Sequence, residues 1–371
     1  MKKITILVLH LGFGGIEKYI SSLCKMLEEN CEIEIISTYK VLDKPAFDFS
    51  DKIKISYLIN DRPYPREMKA ALKKVKIFAF LKYLIKNSIM LMNKKILNIK
   101  AIKKINSDII ITTRDFHNNL VSRYANSKIM KIATEHNFHN DDKSYINNLT
   151  SSLKGFDYFV VVSNELKEFY KNKIKNTKCV YIPNVIDEVY DKPKYNFNHN
   201  IVSVGRLSKE KGFADLIDVI DLVKREVSDI HLDLIGDGKE KENLELKVST
   251  LGLERNITFH GFKEGKEKDN IITKNSLYVM TSHSESFGIV LIEAMAYGLP
   301  CLAFDSASGA REVIPQKDLL ICNRDKKELA EKIIELLNDK KKSNDIGKEN
   351  YDYCQKYLSS NVKEEWFKIL K

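Results

Sequence analysis

Continuous apolar runs alternate with segments of helical period along the whole chain. The first run, Ile4 to Leu9, leads into the turn Gly12-Phe13-Gly14-Gly15 and then into Tyr19, Ile20, Leu23 and Leu27 at helical spacing. A run without apolar/polar alternation is a strand covered on both faces, as in a parallel sheet. Glu32 to Ser37, Asp108 to Thr112, Lys131 to Thr134, Tyr158 to Val162 and Val180 to Ile182 continue the series. After the polar stretch Asp187 to Asn200 it restarts, with Asn200 to Val204, His231 to Ile235, Asn256 to Phe259, Leu277 to Met280 and Pro300 to Phe304. This rhythm predicts an α/β protein whose parallel strands are joined by crossover helices. The restart predicts a boundary between domains 1–187 and 188–355.

Length agrees with two domains, because 371 residues exceed the size at which a single core keeps growing. No internal repeat of solenoid length interrupts the series. With 43% hydrophobic and 30% charged residues the chain can bury a sizeable core, which excludes wholesale disorder. No apolar run approaches the ~20 residues needed to span a bilayer. Lys2 and Lys3 before Ile4 to Leu9 make too short a segment for a signal peptide and lack a small-residue cleavage site. The six cysteines are scattered, with no C-x-x-C pair, which suits a reduced, cytoplasmic protein.

Charge narrows the partners. Sixty-one Lys and Arg against 51 Asp and Glu give a net charge of +10, which favours phosphates, nucleic acid or an acidic bilayer surface. The excess is concentrated. Between Arg66 and Ile105, twelve Lys or Arg residues face one acid, Glu67, and are mixed with Ile77, Phe78, Leu81, Leu84, Ile85 and Ile89. This basic amphipathic region, 66–105, is expected to rest on anionic lipid headgroups at the inner face of the cell membrane. It lacks the stacking aromatics of a nucleic-acid platform, so no nucleic-acid partner is expected.

In open parallel sheets ligands gather at the carboxyl ends of the strands, so the loops that follow strands carry the chemistry. Gly205-Arg206-Leu207-Ser208-Lys209-Glu210-Lys211-Gly212 follows one strand and offers two cations, Arg206 and Lys211, suited to a diphosphate. Thr281 to Glu293 runs from another strand into a helix whose first N–H groups would face an anion, with Gly288 allowing close approach. Glu285 falls in the loop and Glu293 about two turns inside the helix. Carboxylates suit sugar hydroxyls better than phosphates, so the combination suggests a nucleotide sugar.

Glu285 and Glu293 form a Glu-x7-Glu pair. With Gly205-Arg206 and Lys211-Gly212 upstream, the chain resembles the retaining glycosyltransferases of family 4, which have the GT-B fold. Gly14-Gly15-x-Glu17, Glu135-His136-Asn137, Ile182-Pro183-Asn184, Leu234-Ile235-Gly236-Asp237-Gly238, His260-Gly261-Phe262 and Ser308-Gly309-Ala310-Arg311-Glu312 extend the resemblance in order over nearly the whole chain. Val185 and Lys317-Asp318 depart from the family pattern.

The resemblance implies two Rossmann-like domains facing each other across a cleft, the first binding acceptor and the second binding donor. It also implies hinges near Asn184 to Pro193 and a last helix, 356–371, that returns to the first domain. On this resemblance Arg206 and Lys211 would bind the donor diphosphate, with the backbone of Phe287, Gly288, Ile289 and Val290. Glu285 would hold the transferred sugar, Glu293 the ribose, and Gly236 and Phe262 would lie near base and ribose. Gly14 and Gly15 would approach diphosphate and acceptor. His136 would face the reacting sugar, ahead of His117, His139 and His283.

No Asp-x-Asp pair is present, and Arg206, Lys211 and the helix N-terminus would neutralise a diphosphate without a divalent cation, so neither a metal nor another cofactor is expected. The function these features imply is metal-independent transfer of a sugar, from a UDP-sugar above all, to a lipid-linked saccharide or surface-polysaccharide precursor. A sugar-nucleotide epimerase and a non-catalytic nucleotide-sugar-binding protein of the same fold are the alternatives. A dinucleotide-dependent dehydrogenase is set aside, because Gly12-x-Gly14 lacks the third glycine of its fingerprint.

Overall fold

A computed structural model describes residues 1–186 and 196–371. The expected boundary at 187/188 and most of the expected hinge near Asn184 to Pro193 lie outside these residues. The chain divides into two compact units, one of Met1–Val161, Leu166–Ile182 and Glu365–Lys371, the other of Val162–Glu165 and Pro183–Glu364.

The first unit is built on seven strands: β1 (Lys2–Val8), β2 (Cys31–Tyr39), β3 (Lys54–Ile59), β4 (Ile109–Thr112), β5 (Met130–Glu135), β6 (Tyr158–Val161) and β7 (Lys178–Tyr181). They form one sheet in the order β3-β2-β1-β4-β5-β6-β7, every pair parallel. Ile4, Ile6, Ile35, Ile110, Ile111 and Phe159 are buried, which is why these strands read as continuous apolar runs. The helices are α1 (Gly15–Leu27), α2 (Pro65–Lys73), α3 (Ile77–Ile102), α4 (Asp115–Tyr124), α5 (Lys143–Ser152) and α6 (Asn164–Lys171). Their starts follow local chemistry where a cap is available: the Asp142 carboxylate accepts from the Ser144 and Tyr145 N–H groups and opens α5. β3 is absent from the sequence reading. It is an edge strand whose residues are half-exposed, so it carries no buried run.

The second unit repeats the plan with β8 (Asn200–Val204), β9 (His231–Ile235), β10 (Ile257–Phe259), β11 (Leu277–Met280), β12 (Cys301–Phe304) and β13 (Leu320–Ile321) in the order β10-β9-β8-β11-β12-β13. Its helices are α7 (Phe213–Lys224), α8 (Lys241–Thr250), α9 (Gly265–Ile272), α10 (Ile289–Ala296), α11 (Ser308–Val313), α12 (Lys326–Asn338), α13 (Lys340–Cys354) and α14 (Ser359–Leu370). The last residues of α14 belong to the first unit, where Trp366 and Leu370 are buried and the Lys2 ammonium donates to the Leu370 carbonyl at 2.6 Å.

Both sheets reverse strand order beside their first strand, between β1 and β4 and between β8 and β11. At such a switch point the two crossovers leave in opposite directions and open a crevice at the carboxyl ends. In the second unit Arg206 and Lys211 follow β8 and Glu285 follows β11; in the first, Gly14 and Gly15 follow β1.

Candidate active site

In the second unit β8 and β11 lie side by side, with Leu277 opposite Ile201 and Tyr278 opposite Val202. The chain leaving β8 closes a short turn over Lys209–Lys211 and enters α7; the chain leaving β11 runs through Glu285 into α10. The two loops are stitched together. The His283 N–H donates to the Glu210 carbonyl at 2.8 Å, the Thr281 hydroxyl to the Lys211 carbonyl at 3.3 Å, and the Lys211 ammonium to the Glu285 carboxylate. Lys211 and Glu285 are both about four-fifths covered, so their attraction is only partly screened. Arg206 is exposed beside them and its guanidinium donates no hydrogen bond among the described residues.

The Glu285 loop is held from below. Its carbonyl accepts from the Gly309 N–H at 2.7 Å and the Ser308 hydroxyl at 2.9 Å. Phe287 is buried edge-on to Tyr357, at 5.4 Å between ring centroids. Gly288 has a φ of 81° and starts α10, which leaves the Ile289 and Val290 N–H groups in its first turn, where an anion is favoured. Glu293 sits one turn into α10 rather than two, because the helix begins at Ile289 and not within the Ser284–Phe287 loop. It is no solvated face residue. The Lys268 ammonium on α9 donates to its carboxylate at 2.8 Å, and both side chains are 17% exposed. Burial lowers the Lys268 pKa, but Glu293, with Asp269 and Glu264, outweighs it and holds the ammonium above its ordinary value.

Gly236 closes β9 where the backbone passes very near β8: a Cβ there would stand 1.8 Å from the Gly205 carbonyl oxygen, so a side chain is excluded. The Gly236 N–H donates to the Gly261 carbonyl at 2.8 Å, which fixes the loop carrying Phe262. That loop is also braced by Asp233, which accepts from His260 at 2.7 Å. Burial works to raise the Asp233 pKa, but bonds from His231, His260 and Asn275 bring it to about 2. Phe262 is half-exposed beyond β10, two strands from the β8–β11 pair.

In the first unit Gly14 and Gly15 follow β1 and His136 follows β5, on either side of β4. The ring of Tyr19 on α1 lies 4.1 Å from the His136 ring and joins the two. His136 Nε2 is 3.0 Å from the Thr134 hydroxyl. Burial, with Arg114 adding to it, pushes the His136 pKa down to about 3, so the imidazole is neutral near pH 7. It can exchange hydrogen bonds with a sugar but does not act as a standing cation. Gly14 is close-packed, a Cβ there reaching 2.2 Å from Glu17, while Gly15 opens onto solvent.

Several residues here escape sequence reasoning. The buried Glu135 carboxylate accepts from the His136 and Asn137 N–H groups at 2.8 and 2.7 Å and from the Tyr145 hydroxyl at 2.7 Å, so it shapes the turn that presents His136. Glu17 lies 3.3 Å from His10 Nδ1, which also takes the Gly12 N–H at 3.2 Å. Arg114 stands at the start of α4, half-buried; its carbonyl accepts from the Asn118 N–H at 3.0 Å, and its guanidinium has no hydrogen-bond or ion-pair partner among the described residues. Glu17 and Glu135 stand inside the quoted motifs and were open to notice. Arg114 and Lys268 carry no local signal. Of the lesser histidines, His117 is buried, His139 is stacked on Phe169 at 3.7 Å and His283 is exposed. Among the described residues no group of three or more His, Cys, Asp or Glu side chains is placed to hold a metal ion.

Residues 190–353 match the family described as glycosyl transferases group 1. An uncharacterized glycosyltransferase of Haemophilus influenzae is 25% identical over 379 residues, covering all of both chains. The chain has the GT-B fold. Another relative, from Campylobacter jejuni, is the GalNAc-alpha-(1->4)-GalNAc-alpha-(1->3)-diNAcBac-PP-undecaprenol alpha-1,4-N-acetyl-D-galactosaminyltransferase, 23% identical and covering 100% of this chain and 98% of the relative. The fold is shared with a variant of S. aureus TarM solved with fondaparinux, alpha-GlcNAc-glycerol and UDP, at a TM-score of 0.78, 15% identity and 99% coverage of each chain.

Proposed function

We propose that this protein is a metal-independent, retaining glycosyltransferase of family 4 that moves a sugar from a UDP-sugar to a hydroxyl of a lipid-linked saccharide or surface-polysaccharide precursor. The observation that carries the reading is the meeting of Lys211 and Glu285 at the β8–β11 switch point, beside Arg206 and the N-terminus of α10. Cations and helix N–H groups suit a diphosphate, and a carboxylate within the same cluster suits the hydroxyls of an attached sugar. Bound UDP in the TarM structure and the diphosphate-linked saccharide acceptor in the name of the Campylobacter relative support the same classes of donor and acceptor here.

In the transfer, the bond from the sugar's anomeric carbon to the β-phosphate oxygen breaks, and a bond to the acceptor oxygen forms on the same face. The acceptor's proton leaves with the diphosphate. Arg206, Lys211 and the Ile289 and Val290 N–H groups stabilise the charge that develops on the leaving diphosphate, which makes a divalent cation unnecessary. Glu285 orients the sugar, Glu293 the ribose and neutral His136 the reacting sugar, while Gly236 and Phe262 lie toward base and ribose and Gly14 and Gly15 toward the acceptor and diphosphate.

The enzyme works at the cytoplasmic face of the cell membrane, held by 66–105. Eleven of the seventeen large apolar side chains exposed among the described residues lie between Leu72 and Ile96, interspersed with exposed lysines. Among the described residues no helix is long and apolar enough to cross a membrane, and α3 is suited to lying along one.

Purified protein screened against UDP- and GDP-sugars in EDTA, with nucleotide release and thermal shift read together, tests the reading. Release or stabilisation by one UDP-sugar is expected. Activity restored only by added divalent metal would overturn metal independence, and silence toward every donor, with acceptor and vesicles present, would overturn the donor assignment.

A further inference from the structure

One side chain outside every motif touches both donor loops. Arg324 follows β13, and the backbone there is unusual: Asn323 and Arg324 both have positive φ, 55° and 54°, in the left-handed region that L-residues other than glycine seldom adopt. Two such residues in succession persist only where the surroundings hold them. What holds Arg324 is its guanidinium, which lies 4.4 Å over the buried Phe304 ring and spends its fork on four acceptors. Nη1 donates to the Ser282 carbonyl at 3.0 Å and the Ser306 hydroxyl at 2.9 Å; Nη2 donates to the Thr281 carbonyl at 2.9 Å and the Asp215 carboxylate at 2.5 Å.

These acceptors are not scattered. Thr281 and Ser282 are the first residues of the loop that carries Glu285, and Asp215 stands in the first turn of α7, three residues after the Lys211–Gly212 turn. Gly212 completes the contact. Its φ is 65°, and a Cβ there would meet the Thr281 carbonyl oxygen at 2.0 Å and Arg324 Nη2 at 3.0 Å, so glycine lets the guanidinium and both loops close on one another.

We infer that Arg324 is a positioning residue for donor binding, whose guanidinium sets the register of the Lys211 loop against the Glu285 loop. The inference rests on the reading that the second unit holds a nucleoside diphosphate sugar. Arg324 does not touch the donor. It fixes where Lys211 and Glu285 stand, and small displacements of such groups are costly to binding and rate. Lysine cannot replace it, because one ammonium with three protons does not span four acceptors in the plane of a fork.

The test separates backbone from side chain. Arg324→Gly suits the left-handed backbone and removes the side chain, fork and stem alike, and Asp215 keeps the Lys326 ammonium at 2.8 Å. Arg324→Lys keeps the charge and the stem over Phe304, and serves should the glycine variant fail to fold. UDP binding is measured by calorimetry on the full chain, alongside the melting temperature. Folded variants are expected to bind UDP about tenfold to a hundredfold more weakly. Millimolar guanidinium is expected to restore binding to Arg324→Gly but not to Arg324→Lys, a rescue that a general loss of stability does not give. Wild-type affinity in either folded variant overturns the inference. Failure of the wild-type protein to bind any nucleoside diphosphate overturns the donor reading first, and this inference with it.

Discussion

Lys211 and Glu285 neutralise each other before any donor arrives, and that pairing decides how each will respond to substitution. On the proposed reading Lys211→Ala removes a diphosphate cation, and it leaves the Glu285 carboxylate without its partner. A charge-assisted bond is worth about 1.5–3 kcal/mol, so donor affinity should fall by about 10- to 100-fold. Glu285→Gln keeps the shape and the contact with Lys211 but weakens its hold on sugar hydroxyls. It should lower kcat more than it lowers UDP affinity. Calorimetry with UDP and steady-state kinetics on both variants check this, and unchanged transfer by a folded Lys211→Ala protein would remove Lys211 from the diphosphate site. The placement of Arg206, Lys211, Glu285 and His136 in loops that follow strands was legible from their motifs. It was not legible for Arg324 or Lys268, because their partners, Asp215 and Glu293, are brought to them only by the fold.

At the scale of elements, α3 is the outlier. Its 26 residues bury Met90, Asn98 and Ile102 and little else, so its apolar side chains contribute almost nothing to the core of the first unit. A buried polar cluster anchors its C-terminal half: Asn98 donates to the Thr38 hydroxyl at 3.2 Å, and His117 Nε2 stands 3.0 Å from the same hydroxyl. The apolar residues of 66–105 have two physical uses, a membrane face or a core covered by lysine stems. Exposure of Phe78, Ile85 and Met92 favours the first. Changing Lys73, Lys74, Lys76 and Lys82 to Gln should weaken binding to vesicles containing anionic lipid by about 100- to 1,000-fold, at about 1 kcal/mol per lysine near the surface. Sedimentation with anionic and neutral vesicles checks it, with hydrolysis of soluble donor unaffected. Equal binding by the variant would return α3 to an ordinary surface helix.

For the whole molecule the buried histidines set a pH dependence. His136 and His117 are both brought to about 3 by burial, with nearby cations adding to the effect. Each is neutral when folded and takes a proton below about 6.5 when unfolded. The unfolded chain therefore binds more protons between about 6.5 and 3, and stability is full above that window and falls as pH drops through it. Glu135 acts in the opposite sense: burial raises its pKa, so its contribution is present at low pH and lost as pH rises through its folded value. The two histidines outnumber it. Urea midpoints at pH 7, 5.5 and 4.5 should decline, and His117→Leu should make the decline shallower; an identical slope would show that His117 does not titrate as its burial requires.

The order of apolar runs determined eleven of the strands, all but β3 and the two-residue β13, because a strand covered on both faces must be apolar throughout, and that demand is local. It also determined the loops that carry charge, since crossover connections put them after strands. It did not reveal β3, whose half-exposed edge residues need no continuous run, nor the start of α10, which Gly288 sets through its backbone. Only the tertiary structure decided which strands are neighbours, and so that the β8 and β11 loops share a switch point. It alone decided that Lys211 meets Glu285 across 74 residues and that Arg324 reaches Asp215 across 109. A motif records what a residue offers; its partner is chosen by sheet order, which no local pattern contains.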